Sequence, residues 1–217
     1  MKKTSGLRER KKLETRDRIR AAAAELFTRH GFGAATMRQI AKRAHVGLGT
    51  LFNYAEDKRD LVFLIFNEEL NALTDVALAA PRPGEPLLEQ LMAVFRCHYD
   101  QLGERPELSR ILLQELTFYS AGKQAATFLG IRQRLIDGIE ALVRRAQAQR
   151  RIHAKVSPAL VARHVFFVYS ASIRWWIAAP RPDPDRGLAD LRRLLHLQIE
   201  GLGRRKRGQA PFSRRSR

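Results

Sequence analysis

The sequence holds a single cysteine, Cys97, so no intramolecular disulfide can form and a reducing compartment fits best. Its longest apolar run, VFFVYSASI at 165–173, ends against Arg174. That is far short of the roughly 20 residues a bilayer-spanning helix needs. The first 20 residues are polar and basic and contain no leader-like apolar segment. A cytoplasmic protein without a membrane partner is expected. No stretch shows sustained apolar/polar alternation in β-branched residues, so no strand is expected and the fold class is all-α.

Catalytic and metal-binding patterns are also missing. The six histidines are scattered, with no His-x-x-x-His pair. Cys97 and His98 are adjacent, and neighbours on a helix point about 100° apart, so the pair is ill placed to share a ligand. A buried structural cysteine is the default for Cys97. No nucleophile–base set or paired-carboxylate site stands out. The stretch GLGTLF at 47–52 lacks the preceding strand and third glycine of a dinucleotide loop. Neither an enzyme nor a cofactor is expected.

Acidic residues are scarce. Forty Lys and Arg stand against 22 Asp and Glu, for a net charge of +18. Residues 1–60 hold 15 basic and 7 acidic side chains, 61–203 hold 18 and 15, and 204–217 hold 7 and none. The positive field therefore sits at the two ends, which points to an anionic partner.

Helical periodicity fills the rest. Residues 1–12 read as a disordered basic arm and 204–217 as a basic tail. The first helix is expected over 13–30, with Ile19, Ala22, Ala23, Leu26 and Phe27 on one face and Gly31 as its stop. Thr36 and Gln39 form the pattern of a capping box, and Ile40, Ala41 and Ala44 form the inner face of a second helix. A third, only two turns long, is expected at about 47–54, and a fourth from near Glu56 to about Ala80, with Asp57 and Asp60 in its first turns. After PRPGEP (81–86) come helices at about 85–103, 106–117 and 121–150. A further helix at 157–179 opens on Ser157-Pro158, and a last one at 187–203 follows PRPDPDRG (180–187).

A helix as short as 47–54 buries too little to exist for stability alone. Two helices joined by a tight turn make a helix-turn-helix, whose second helix enters the DNA major groove. Gly47 and Gly49 clear the start of this helix for close approach, and Val46 and Leu51 point inward. Thr50, Asn53 and Tyr54 supply polar groups for bases and phosphates. Lys58 and Arg59 suit phosphate, as do the helix start at Thr36 and the neighbouring Arg38.

The segment TMRQIAKRAHVGLGTLFNYAEDKRDLV resembles the DNA-binding signature of the TetR family of transcriptional repressors: a capped helix, a short turn, Gly-Thr-Leu-aromatic-x-aromatic, then Lys and Leu. The resemblance covers about residues 13–65. His45 stands where the family often has Gly, Gly47 where it often has Ser or Thr, Phe52 for a frequent Tyr and Ala55 for a frequent Phe. Leu48 takes a position that is often polar. The resemblance implies a DNA-binding domain (13–55) and a C-terminal ligand-binding and dimerisation domain (56–203). The protein would be a homodimer on a palindromic operator in double-stranded DNA, released by a small-molecule inducer. Dimerisation would use the last two helices. The DNA-facing set is Thr36, Arg38, Gly47, Leu48, Gly49, Thr50, Asn53, Tyr54 and Lys58. Phe95, Tyr99, Phe128, Arg132 and Tyr169 are expected at the ligand pocket. Two alternatives stay open: a sequence-nonspecific basic DNA-binding protein, since the charge alone gives salt-sensitive binding, and a helical small-molecule carrier that does not read DNA.

Overall fold

The computed structural model describes residues 3–153 and 155–202. The tail expected at 204–217 lies outside them. The described residues form nine helices and no strand: α1 (Lys3–Ala34), α2 (Met37–Arg43), α3 (Leu48–Phe52), α4 (Lys58–Ala79), α5 (Leu87–Glu104), α6 (Pro106–Glu115), α7 (Ala125–Ala148), α8 (Pro158–Ile177) and α9 (Pro184–Leu202). The all-α expectation holds, with most boundaries within a few residues.

The main difference is at the start. Residues 3–12 continue α1 instead of forming an irregular arm. No proline interrupts them, Arg10 pairs with Glu14 one turn on, and the Lys12 carbonyl accepts the Tyr54 hydroxyl at 3.2 Å. A charged, propensity-favourable segment attached to a packed helix propagates it at little cost. The expected stop at Gly31 is real: its φ of 78° and ψ of 156° break the helical path inside α1.

Residues Ile19, Ala23, Phe27, Ile40, Leu51 and Ala55 are all buried and join α1, α2 and α3 into one small core. Helix α4 carries the chain out of it. α4 packs on α1, α5, α6 and α7. Arg20 fixes the first contact, donating to Glu68 at 2.7 Å and to the Ile65 carbonyl at 3.0 Å. Helices α5, α7, α8 and α9 form the larger core, which includes Leu91, Phe95, Ile139, Val143, Ile173 and Leu191.

Candidate DNA interface and ligand cavity

Helix α2 opens on the expected capping box. The Gln39 backbone N–H donates to the Thr36 hydroxyl at 3.2 Å, and the Gln39 carbonyl Oε1 accepts the Thr36 backbone N–H at 2.9 Å. Thr36 therefore shapes the helix start, while Arg38 beside it is exposed. The helix ends in a Schellman turn: Val46 N–H donates to the Ala41 carbonyl (3.0 Å) and His45 N–H to the Lys42 carbonyl (3.2 Å). The turn requires a left-handed residue, and His45 supplies it at φ 54°.

This turn sets α3. Leu51 and the following Ala55 are fully buried and hold the short helix against α1 and α2. Its other faces carry Gly47, Leu48, Gly49, Thr50, Phe52 and Asn53, all exposed. Neither glycine answers an internal demand. A Cβ on Gly49 would meet nothing within 4 Å, and one on Gly47 only the Thr50 hydroxyl at 3.8 Å. Neither has positive φ. The space they leave faces outward.

Three expected DNA contacts are engaged internally. The Tyr54 hydroxyl donates to α1, and its carbonyl accepts Gln124 Nε2 at 3.0 Å. The Lys58 ammonium donates to the Phe32 and Gly33 carbonyls at 2.7 and 3.0 Å and lies over the Phe32 ring. In this structure the ammonium is therefore directed at α1. The break at Gly31 leaves carbonyls that need donors, and Lys58 satisfies them. Arg59 likewise turns inward, to the Glu115 and Thr117 carbonyls.

In the larger core, a cavity of about 90 Å³ lies among α4, α5, α6, α7 and α8. Each helix offers residues three or four apart: Leu70 and Thr74, His98 and Leu102, Leu112 and Leu116, Phe128, Ile131, Arg132 and Leu135, and Phe166, Tyr169, Ser170, Ile173 and Arg174. Of the residues expected at a ligand pocket, Phe128, Arg132 and Tyr169 line this cavity. Phe95 and Tyr99 do not line it. Phe95 is sealed behind the Tyr169 ring, stacked at 4.4 Å. Tyr99 is turned 100° from His98 on α5 and packs on Trp176 at 4.6 Å.

His98, Thr74, Ser170 and Arg174, not singled out by the sequence, also line the cavity. The signal for Arg174 was available, since a charge one turn after Ser170 interrupts an apolar helix. His98 is buried, and burial pushes its pKa down to about 4, so it is neutral near pH 7. Its Nδ1 lies 3.1 Å from the Val94 carbonyl. A carbonyl can only accept, so Nδ1 carries the proton and Nε2 is an acceptor. Cys97 is half-buried with its Sγ 3.6 Å from the Ala93 carbonyl. Among the described residues, no three potential metal ligands cluster and no helix is long and apolar enough to cross a membrane.

A three-helix reading head joined by one long helix to a cavity-bearing helical bundle defines an all-helical, helix-turn-helix protein. Residues 19–65 match the family model described as bacterial regulatory proteins, tetR family. An HTH-type transcriptional regulator of Staphylococcus aureus is 39% identical over 59 residues, covering 27% of this chain and 32% of the relative. The uncharacterized HTH-type regulator YhgD of Bacillus subtilis is 36% identical over 83 residues, covering 38% and 41%. These matches span well under half of the curated relatives' length. Among solved structures, Thermus thermophilus FadR, a TetR-family repressor in complex with lauroyl-CoA, aligns with TM-score 0.66 and 26% identity over 90% of this chain and 99% of its own. Bacillus subtilis FadR in complex with stearoyl-CoA aligns with TM-score 0.67 over 85% and 97%, at 19% identity, a likeness of fold.

Proposed function

We propose that the protein is a cytoplasmic transcriptional repressor, a homodimer that reads a palindromic operator through α3 and leaves it when an apolar small molecule enters the α4–α8 cavity. The observation that carries this reading is the outward face of α3: two glycines with no internal role beside exposed Thr50 and Asn53. Asn can bond adenine bidentately and Thr can meet bases or phosphates. Leu48 and Phe52, also exposed, suit thymine methyls. With Lys58 and Arg59 turned inward, exposed Arg38 is a phosphate contact.

A second copy suits the far side of the molecule. Leu160, Phe167 and Trp175 on α8, and Leu194 and Leu197 on α9, are all exposed large apolar residues. Such a face in water marks an association surface. Paired by a two-fold axis, the two reading heads would meet half-sites about 34–36 Å apart or a multiple of that. Release requires a ligand that binds the non-DNA conformation more tightly. The FadR complexes with lauroyl-CoA and stearoyl-CoA support a ligand with an apolar chain.

The test is binding of the full chain to DNA flanking its own gene and to genomic fragments, with random DNA as competitor at two salt concentrations. Binding that survives competitor and is lost in Asn53→Ala and Thr50→Ala supports the reading. If every fragment is displaced by random DNA and by moderate salt, charge alone is binding and the protein is a nonspecific basic binder.

A further inference from the structure

The cavity is lined by two arginines and by no acid. Several arginines of the C-terminal helices pair with carboxylates: Arg96 with Asp185, Arg134 with Asp75, Arg192 with Glu89. Arg110 and Arg174 bond main-chain carbonyls instead, and of these two only Arg174 lines the cavity. Arg174 is half-buried, and its Nη1 and Nε donate only to main-chain carbonyls, Ser170 at 2.7 Å and Leu113 at 3.3 Å. Among the described residues no carboxylate pairs with it. A guanidinium has five N–H donors, so three remain after these two bonds. Burial disfavours its charged form, lowering its pKa from the ordinary value, yet arginine stays protonated in proteins. A desolvated cation without a counter-charge is unfavourable. Arg132, exposed at the same cavity, also has no carboxylate partner among the described residues.

We propose that the ligand is an apolar monocarboxylate, its hydrocarbon part among the leucines and Phe128 and its carboxylate on the guanidinium of Arg174, with Arg132 as a second cation. This rests on the same cavity being the ligand site of the regulator. A carboxylate accepts a guanidinium fork through two parallel bonds, which a neutral alcohol cannot do. The volume favours short acids. At about 90 Å³ the cavity is smaller than the roughly 150 Å³ pocket known to take a benzene. A coenzyme A thioester presents a neutral carbonyl where the acid presents its charge.

Titration calorimetry on the free full-length protein tests this without DNA. The probes are butyrate, pentanoate and hexanoate, each beside its primary alcohol and its coenzyme A thioester. At least one acid should bind tenfold or more tighter than its alcohol and thioester. Arg174→Gln should collapse that ratio to about two or less, Arg174→Lys should keep part of it, and Arg132→Gln should reduce it modestly. Circular dichroism checks that each variant keeps its helix content. If Arg174→Gln does not fold, the ratio must still fall in Arg174→Lys. The proposal is overturned if no acid outbinds its alcohol, if a thioester binds as well as its acid, or if folded Arg174→Gln keeps the preference. None of these outcomes touches the DNA-binding reading. Loss of specific DNA binding, measured separately, would sink that reading and leave the acid site standing.

Discussion

The Tyr119 hydroxyl donates to the buried Asp60 carboxylate, and this contact ties the loop ahead of α7 to the turn leaving the reading helix. Asp60 also accepts the backbone N–H groups of Glu56 (2.9 Å), Lys123 (3.0 Å) and Gln124 (2.9 Å). Glu56 belongs to the α3–α4 turn, and the other two belong to the α6–α7 loop. The Tyr119 ring stacks on Phe63 at 3.6 Å, and Phe63 packs at 4.6 Å on Phe128, which lines the cavity. A continuous chain of packed groups thus runs from cavity to reading head.

Removing this joint should cost stability and coupling together. Asp60→Asn turns an acceptor of four bonds into an amide that opposes some of the same donors. About 2–4 kcal/mol of destabilisation is expected, and about 1–2 for Tyr119→Phe. Urea unfolding measures both. In Tyr119→Phe, operator affinity should survive while ligand-driven release weakens. An unchanged release curve would show that the signal travels by another route.

The turn residue offers the opposite effect. His45 is an L-residue held at φ 54°, a conformation that carries a penalty of roughly 1–2 kcal/mol. Glycine removes the penalty but adds unfolded-state entropy. His45→Gly should stabilise the protein by about 0.5–1 kcal/mol, seen as a higher urea midpoint. A loss of stability would mean that the imidazole makes contacts worth more than the strain.

The buried imidazole predicts an acid sensitivity. In the folded chain His98 titrates near 4, and in the unfolded chain near 6.5. Between those values the unfolded state binds a proton that the folded state refuses. Stability from this group is therefore intact above about 6.5, falls as pH drops towards 4, and amounts to about 3 kcal/mol in all. Thermal melts of wild type and His98→Leu across pH 4–7 should converge at low pH. Parallel curves would show that His98 is not the titrating group.

Two helical glycines should respond differently to alanine. A Cβ at Gly187 would lie 2.5 Å from Trp176 Cδ1 and 2.6 Å from Tyr99 Cε1, in a buried aromatic pair whose indole donates to the Asp183 carbonyl at 2.7 Å. Overpacking of about 1–3 kcal/mol exceeds the gain of about 1 kcal/mol in helix propensity, so Gly187→Ala should lower the melting temperature. At Gly138 the obstacle is the side-chain tip of half-buried Leu78, which can swing aside. Gly138→Ala should stay within about 1 kcal/mol of wild type.

The sequence by itself determined the helices, their caps and the reading head. These are local properties: Thr36 and Gln39 are three residues apart, the stripe that buries Ile40, Ala41 and Ala44 repeats at helical spacing, and Gly31 breaks its helix where it stands. Tertiary structure alone decided where the long side chains spend their hydrogen bonds. Lys58 and Arg59 looked like phosphate ligands because their partners, the carbonyls of Phe32, Gly33, Glu115 and Thr117, lie far away in sequence. Asp60 looked like a helix-dipole residue until folding brought Tyr119, Lys123 and Gln124 around it. The cavity is of the same kind. Five helices each contribute one stripe, and the strips that line a void read no differently from those that fill a core, because what separates them is the packing of the other four.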